Sequence, residues 1–138
     1  MDKLDKDLLK RIEGLLNIEF KEWQINYLLD VPMILDMRIT RRGSGKTLVY
    51  IIKLLFTDDY PIRAFDISDI ASVSDWWSFE GSEKAFHKGD TYYNRWFQRY
   101  LLEIYECLKS GGIDTRPVLR TRKEHEDYEW LKKTFAVK

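Results

Sequence analysis

The 138-residue sequence has one cysteine, two histidines and three prolines. The single thiol, Cys107, excludes an internal disulfide, which fits a reducing compartment. Every apolar run is shorter than the roughly 18–20 residues that a membrane-spanning helix needs. The N-terminus is charged and no apolar segment follows it, so we expect no signal peptide. These absences predict a cytoplasmic protein that does not contact a membrane.

The formal net charge is zero, because 23 basic residues balance 23 acidic ones. A general attraction to nucleic acid is therefore not expected, and any basic surface must be local. The composition is 44% hydrophobic and 14% aromatic, which is enough to form a core and excludes a disordered tail. The length suits a single domain over residues 1–138, and no repeat or linker divides it.

Apolar residues recur at helical spacing in several parts of the chain. Helices are predicted over 2–16, 21–29, 47–56 and 91–109, and from the capping box Thr121-x-x-Glu124 through Phe135. The first two form a helical N-terminal extension over residues 1–30. The helix over 47–56 is apolar nearly all round, which is typical of a helix packed beside a sheet.

Three shorter apolar runs indicate strands. They lie at 33–39, 61–67 and 113–119, and Pro117 moves the third toward a sheet edge. Residues 71–90 give no clear period and predict a loop with short helical pieces. Strands that alternate with helices predict an α/β fold with a small, largely parallel sheet.

A glycine-rich loop at 40–47, TRRGSGKT, joins the predicted strand at 33–39 to the helix that follows. Such a turn is an anion site, because its backbone N–H groups point inward and the helix N-terminus adds partial positive charge. Gly43 and Gly45 permit close backbone approach. Lys46 would reach the β- and γ-phosphates of a nucleotide, and the Thr47 hydroxyl would bind Mg²⁺. In the pattern G-x-x-x-x-G-K-[ST], the first glycine is replaced here by Thr40.

Two segments carry a family resemblance. RGSGKT at 42–47 resembles the Walker A segment of large terminase subunits, the DNA-packaging ATPases of tailed phages, whose loop is commonly of the type G-G-R-G-S-G-K-[ST]. FKEWQ at 20–24 resembles the aromatic-plus-glutamine element upstream of the loop in terminases and superfamily 2 helicases. The resemblance covers about residues 18–60. It implies a three-layer or truncated P-loop NTPase-like domain that binds ATP and Mg²⁺. The implied nucleotide contacts are Arg42, Gly43, Ser44, Gly45, Lys46 and Thr47.

In those families the glutamine of the upstream element reads the adenine edge, so the resemblance implies this role for Gln24. The chemistry is suitable, because a Gln amide donates and accepts in one plane, as the adenine N6/N7 pair requires. Taken alone, Trp23-Gln24 also fits a packed aromatic beside a surface amide.

The resemblance does not extend to a Walker B element, an apolar strand that ends in Asp-Glu, because the sequence has no Asp-Glu pair. Asp66 and Asp69 are the candidate catalytic residues, since they could reach Mg²⁺ from a strand end. The alternative is that they belong to a strand-to-loop turn. A basic segment could supply an arginine finger in an oligomer, or it forms a surface strand end; its members are Arg116, Arg120, Arg122 and Lys123.

Two functions remain open. The first is a reduced relative of an ATP-dependent DNA motor of the terminase or helicase type, an ATPase with weak or no hydrolysis alone. The second is a non-enzymatic interaction or inhibitor protein of phage type that keeps the P-loop scaffold and binds a protein partner. The loop and Gln24 favour the first; the short chain and the missing Walker B favour the second. DNA, a protein partner and a second copy of the chain are the candidate macromolecular partners. The host cytoplasm is the expected location if a phage encodes the chain.

Overall fold

The computed structural model describes residues 1–31, 45–57, 60–66 and 92–135. In these ranges five helices and two short strands follow one another. They are α1 (Lys6–Leu16), α2 (Glu22–Leu28), α3 (Lys46–Leu55), β1 (Ile62–Arg63), α4 (Tyr92–Ser110), β2 (Val118–Leu119) and α5 (Arg122–Phe135). The predicted strand at 33–39 and the predicted loop at 71–90 lie outside the described residues. The mixture of helices with a parallel strand pair confirms the α/β prediction at this level.

Helix α1 begins where Asp5 accepts a hydrogen bond from the Leu8 backbone N–H at 2.8 Å. A carboxylate before the first turn satisfies one of the N–H groups that lack a partner inside the helix. The helix therefore starts at Lys6, although the apolar periodicity starts earlier in the chain. Its buried face packs toward α4 and consists of Leu8, Leu9 and Ile12.

Helix α3 is enclosed on nearly all sides, as its sequence predicted. Its buried residues are Val49, Tyr50, Ile51, Ile52, Leu54 and Leu55. The Tyr50 ring meets Phe97 of α4 edge-on, with ring centroids 6.0 Å apart. Helix α2 packs against another side of α3. The hydrophobic core is therefore arranged around α3, which fixes the position of both ends of this helix.

Strands β1 and β2 pair in parallel, with Ile62 opposite Val118 and Arg63 opposite Leu119. Since α4 lies between them in the chain, the order β1–α4–β2 is a crossover connection of the kind that joins parallel strands. Parallel pairing confirms the predicted direction of the sheet in the described part of the chain.

Both strands are shorter than the predicted 61–67 and 113–119, and hydrogen bonds made outside the sheet explain the difference. After β1, the Asp66 N–H donates to the Arg63 carbonyl at 2.9 Å and closes a turn. Before β2, the Arg116 N–H donates to the Leu55 carbonyl at 3.0 Å, at the end of α3. Pro117 has no N–H to give to a ladder. These groups are therefore used outside the sheet, and two residues of each strand remain paired.

The last two helices follow their sequence signals closely. Helix α4 ends before Gly111 and Gly112, and Gly112 has a left-handed φ of 81°. Helix α5 starts after Thr121, whose Oγ1 accepts from the Glu124 N–H at 3.1 Å, so the predicted helix start is confirmed. The second bond of the predicted capping box goes to a different residue, because the Glu124 Oε2 accepts from the Arg120 N–H at 2.7 Å. No helix in the described ranges is both long and apolar enough to cross a lipid bilayer.

Candidate nucleotide site

The described part of the glycine-rich loop forms the start of α3. Gly45 is the N-cap residue, with left-handed backbone angles of φ 88° and ψ 19°. Lys46 and Thr47 are the first two helical residues, and both are partly exposed. Arg42, Gly43 and Ser44, the other predicted contacts, lie outside the described residues. Three of the predicted phosphate-binding residues thus stand together at one helix N-terminus.

The start of α3 has the electrostatics of an anion site. The first N–H groups of a helix have no intrahelical acceptor, and the helix dipole adds partial positive charge there. The first turn of α3 contains no acidic residue, and Lys46 adds a full positive charge. Helices α1, α2 and α5 each carry an acidic residue in the first turn, which opposes that charge. Helix α3 differs from these three helices, and resembles α4, in having no acidic residue in its first turn.

Gln24 lies directly against this helix start. Its side chain is only 5% exposed, so the alternative of a surface amide is wrong. The Gln24 Nε2 lies 3.5 Å from the Gly45 carbonyl oxygen, at the long end of the hydrogen-bond range. A Cβ added to Gly45 would overlap the same nitrogen. Position 45 therefore requires a glycine for two reasons. Its backbone angles are left-handed, and Gln24 occupies the space that a Cβ would fill.

The other end of the α2–α3 pair is held by Lys53. Its Nζ donates to the Tyr27 carbonyl at 3.1 Å and pairs with the Asp30 carboxylate at 2.6 Å. The same ammonium lies 4.3 Å from the centroid of the Tyr27 ring. Because the starts of the helices meet at Gln24 and Gly45 and their ends meet at Lys53, α2 and α3 run side by side in the same direction. Sequence reasoning missed Lys53, although a lysine among the apolar residues of a buried helix is a signal for such a contact.

The candidate catalytic carboxylates are only partly described. The Asp66 Oδ2 lies 3.3 Å from the Arg63 Nη2, and both side chains are about one-third exposed. Asp66 also closes the turn after β1 through its N–H, which agrees with the turn alternative considered for it. Asp69 lies outside the described residues. Within the described ranges, no three His, Cys, Asp or Glu side chains are grouped so as to hold a metal ion.

The expectation of a surface position for Arg116 is wrong. Arg116 is 6% exposed, and its guanidinium donates to the Tyr60 carbonyl at 2.8 Å and the Leu54 carbonyl at 3.1 Å. A guanidinium is well suited to this task, because the carbonyls at a helix C-terminus have no intrahelical donors. Arg116 thereby holds the end of α3 and is not available as an arginine finger. Arg120 is exposed, with its Nη1 2.8 Å from the Glu106 Oε1.

Comparison of the chain with protein-family models, curated protein sequences and solved structures gives no match.

The packing of Gln24 on Gly45 predicts the cost of adding a methyl group there. Gly112 is a matched control, because it is also left-handed but no atom lies within 4 Å of the point that its added methyl group would occupy. We expect Gly112→Ala to lower the free energy of unfolding by roughly 1–2 kcal/mol through backbone strain alone. Gly45→Ala should cost about 1–3 kcal/mol more, because overpacking adds to the strain. Urea denaturation measures both variants. Equal costs would contradict the contact between Gln24 and Gly45.

Proposed function

We propose that the chain binds ATP with Mg²⁺ through the glycine-rich loop and the start of α3. The observation that carries this proposal is the position of Gly45-Lys46-Thr47, with Gly45 left-handed at the head of a buried helix. The φ of 88° at Gly45 and its lack of a Cβ support this proposal, because they leave room for a phosphate group to approach the backbone closely. The sequence before it, Arg42-Gly43-Ser44, completes the resemblance to a Walker A loop.

Each residue of the site has a distinct proposed role. Backbone N–H groups of the loop and of the first helical turn donate to phosphate oxygens. The Lys46 ammonium neutralises charge on the β- and γ-phosphates, and the Thr47 hydroxyl is a ligand for Mg²⁺. Thr47 would hold Mg²⁺, which would supply positive charge to offset that of the phosphate groups. The packing of α3 keeps the N–H groups of its first turn in place before the nucleotide arrives.

The proposed biological setting is a reduced relative of an ATP-dependent DNA motor, with a truncated P-loop NTPase-like domain. This rests on the resemblance of 42–47 and 20–24 to terminases and superfamily 2 helicases. Three features support weak hydrolysis by the chain alone. The sequence has no Asp-Glu pair, Asp66 is paired with Arg63, and Arg116 is committed to backbone carbonyls. In the sequence, Arg38 precedes the loop and Arg41 belongs to it; these arginines either contact phosphate or DNA, or they form a solvated basic edge.

A second candidate, a protein-binding module that keeps the P-loop scaffold, is favoured by the end of α5. Trp130 is 62% exposed and the neighbouring Leu131 is 48% exposed. Large exposed apolar side chains are frequent anchors in protein interfaces. Nucleotide binding without turnover would agree with either candidate, whereas a chain that binds no nucleotide would agree only with the second.

The proposal predicts that Lys46→Ala weakens nucleotide binding by roughly ten- to a hundredfold or more and leaves the fold intact. The lost contact is charge-assisted and by itself contributes roughly 1.5–3 kcal/mol. Lys46 is partly exposed at a helix start, so its removal leaves the core in place. Isothermal titration calorimetry with ATP and Mg²⁺ measures the affinity, and circular dichroism checks the fold. Lys10→Ala, which alters an exposed lysine of α1, is the matched control. Unchanged affinity in a folded Lys46→Ala protein would contradict the proposed site.

The proposal also predicts that the isolated chain turns ATP over well below the roughly 1 s⁻¹ at the lower end of ordinary enzymes. An arginine finger alone contributes about 10³–10⁵ in rate, and a group that orients water adds to this. Phosphate release, measured over a range of protein concentrations, tests the expectation. Activity that rises with self-assembly would fit a finger supplied by Arg120 or Arg122 of a second copy. Brisk turnover that is independent of protein concentration would contradict it and would point to Asp66 or Asp69.

A further inference from the structure

The side-chain amide of Gln24 has both of its polar ends engaged by backbone groups. Its Oε1 accepts from the Lys21 N–H at 2.7 Å, which caps the start of α2. Its Nε2 faces the Gly45 carbonyl at 3.5 Å. Reading an adenine edge requires a donor and an acceptor that face the base together. In this structure the Gln24 Oε1 is occupied by the backbone at the start of α2, and the Gln24 Nε2 faces Gly45 of the glycine-rich loop.

We infer that Gln24 is a positioning residue for the phosphate-binding backbone and that it does not select the base. This inference rests on the proposed nucleotide site and deepens it. It assigns to the buried amide a function that differs from the adenine contact implied by the resemblance. As a consequence, removal of the Gln24 amide should lower the affinity for every ligand with a polyphosphate group by the same factor.

The geometry of one peptide unit explains how Gln24 acts on phosphate. The Gly45 carbonyl and the Lys46 N–H belong to the same planar trans peptide, so they point in opposite directions. A donor that holds the carbonyl therefore also fixes the direction of the Lys46 N–H. This N–H is one of the helix donors that no intrahelical carbonyl accepts, and it is a donor to phosphate in the proposed site.

The Gly45 carbonyl also receives the first hydrogen bond of α3, from the Val49 N–H at 3.4 Å. A carbonyl oxygen has two lone pairs and can accept both donors. The donor from Gln24 holds the carbonyl from outside the helix, whereas the donor from Val49 holds it from within.

Gln24 can perform this task because α2 is itself fixed. Tyr27 and Leu28 are buried, at 4% and 2% exposure. At the far end of α2, Lys53 of α3 holds the Tyr27 carbonyl and the Asp30 carboxylate. The amide is thus carried by a helix that is bound to α3 at both ends. Movement of Gln24 away from Gly45 toward a base would have to break its bond to Lys21.

Three ligands separate the two roles of Gln24 in one experiment. ATP, GTP and inorganic tripolyphosphate, each with Mg²⁺, are titrated by calorimetry into the full chain and into Gln24→Met. Methionine keeps the length and volume of the side chain but removes its strong donor and acceptor. We expect the affinity for all three ligands to fall by the same factor, roughly two- to fivefold, the loss of a weak neutral hydrogen bond. The ratio of ATP to GTP affinity should stay unchanged.

Asn26→Ala is the matched control, because it removes an amide from the same helix and leaves the contact between Gln24 and Gly45 in place. It should bind all three ligands like the unaltered chain. Thermal unfolding shows which variants keep their fold, and Gln24→Glu, with an oxygen for the Lys21 N–H, is used if Gln24→Met unfolds. Gln24→Glu should also lower the affinity for all three ligands by one common factor. That factor should be at least as large as the factor for Gln24→Met.

A loss confined to ATP, with tripolyphosphate unchanged, would overturn the positioning role and restore Gln24 as the reader of adenine, while the nucleotide site would stand. Unchanged affinity for all three ligands would also overturn the positioning role. If the unaltered chain binds neither ATP nor tripolyphosphate, the proposed function fails, and the role of Gln24 fails with it.

Discussion

Burial of α3 on nearly all sides is the constraint from which the rest of the described structure follows. Val49, Ile51 and Ile52 point in different directions from the helix axis, and each is fully buried. Each such side chain contributes roughly 1.5–3 kcal/mol through removal from water. Rotation or sliding of α3 would expose several of them at once. The helix is therefore held in one register, and its two ends are the places where it meets polar groups.

Polar contacts hold the two ends of α3 in position and so fix the geometry of the candidate site. At the far end, Arg116 binds the Leu54 carbonyl and Lys53 binds the end of α2. At the near end, Gln24 lies against Gly45. The anchoring of the far end directs the N-terminus of the helix, with its partial positive charge, to one fixed position. A preorganised donor set of this kind reduces the ordering cost of binding a phosphate.

The sequence predicted the helices well because their signals are local. Apolar spacing identified α1, α3 and α4, and the Thr121 capping box identified the start of α5. The strands were predicted too long, since the Arg116 N–H pairs with the Leu55 carbonyl, a contact between segments distant in the chain. The loop motif predicted that Gly45, Lys46 and Thr47 lie at a helix start, which is confirmed, whereas their contact with phosphate stays a prediction. The sequence could not show that Arg116 is buried. Only the folded chain brings the carbonyls of Leu54 and Tyr60 within hydrogen-bond distance of its guanidinium.

The central claim is that phosphate groups bind at the start of α3, and amide chemical shifts locate such binding directly. The measurement is a two-dimensional ¹H–¹⁵N spectrum of the full chain during titration with ATP and Mg²⁺. The account predicts that, among the described residues, the largest shift changes occur at Gly45, Lys46 and Thr47, with little change along α5. No shift changes at these amides, or changes concentrated around Trp130, would contradict it.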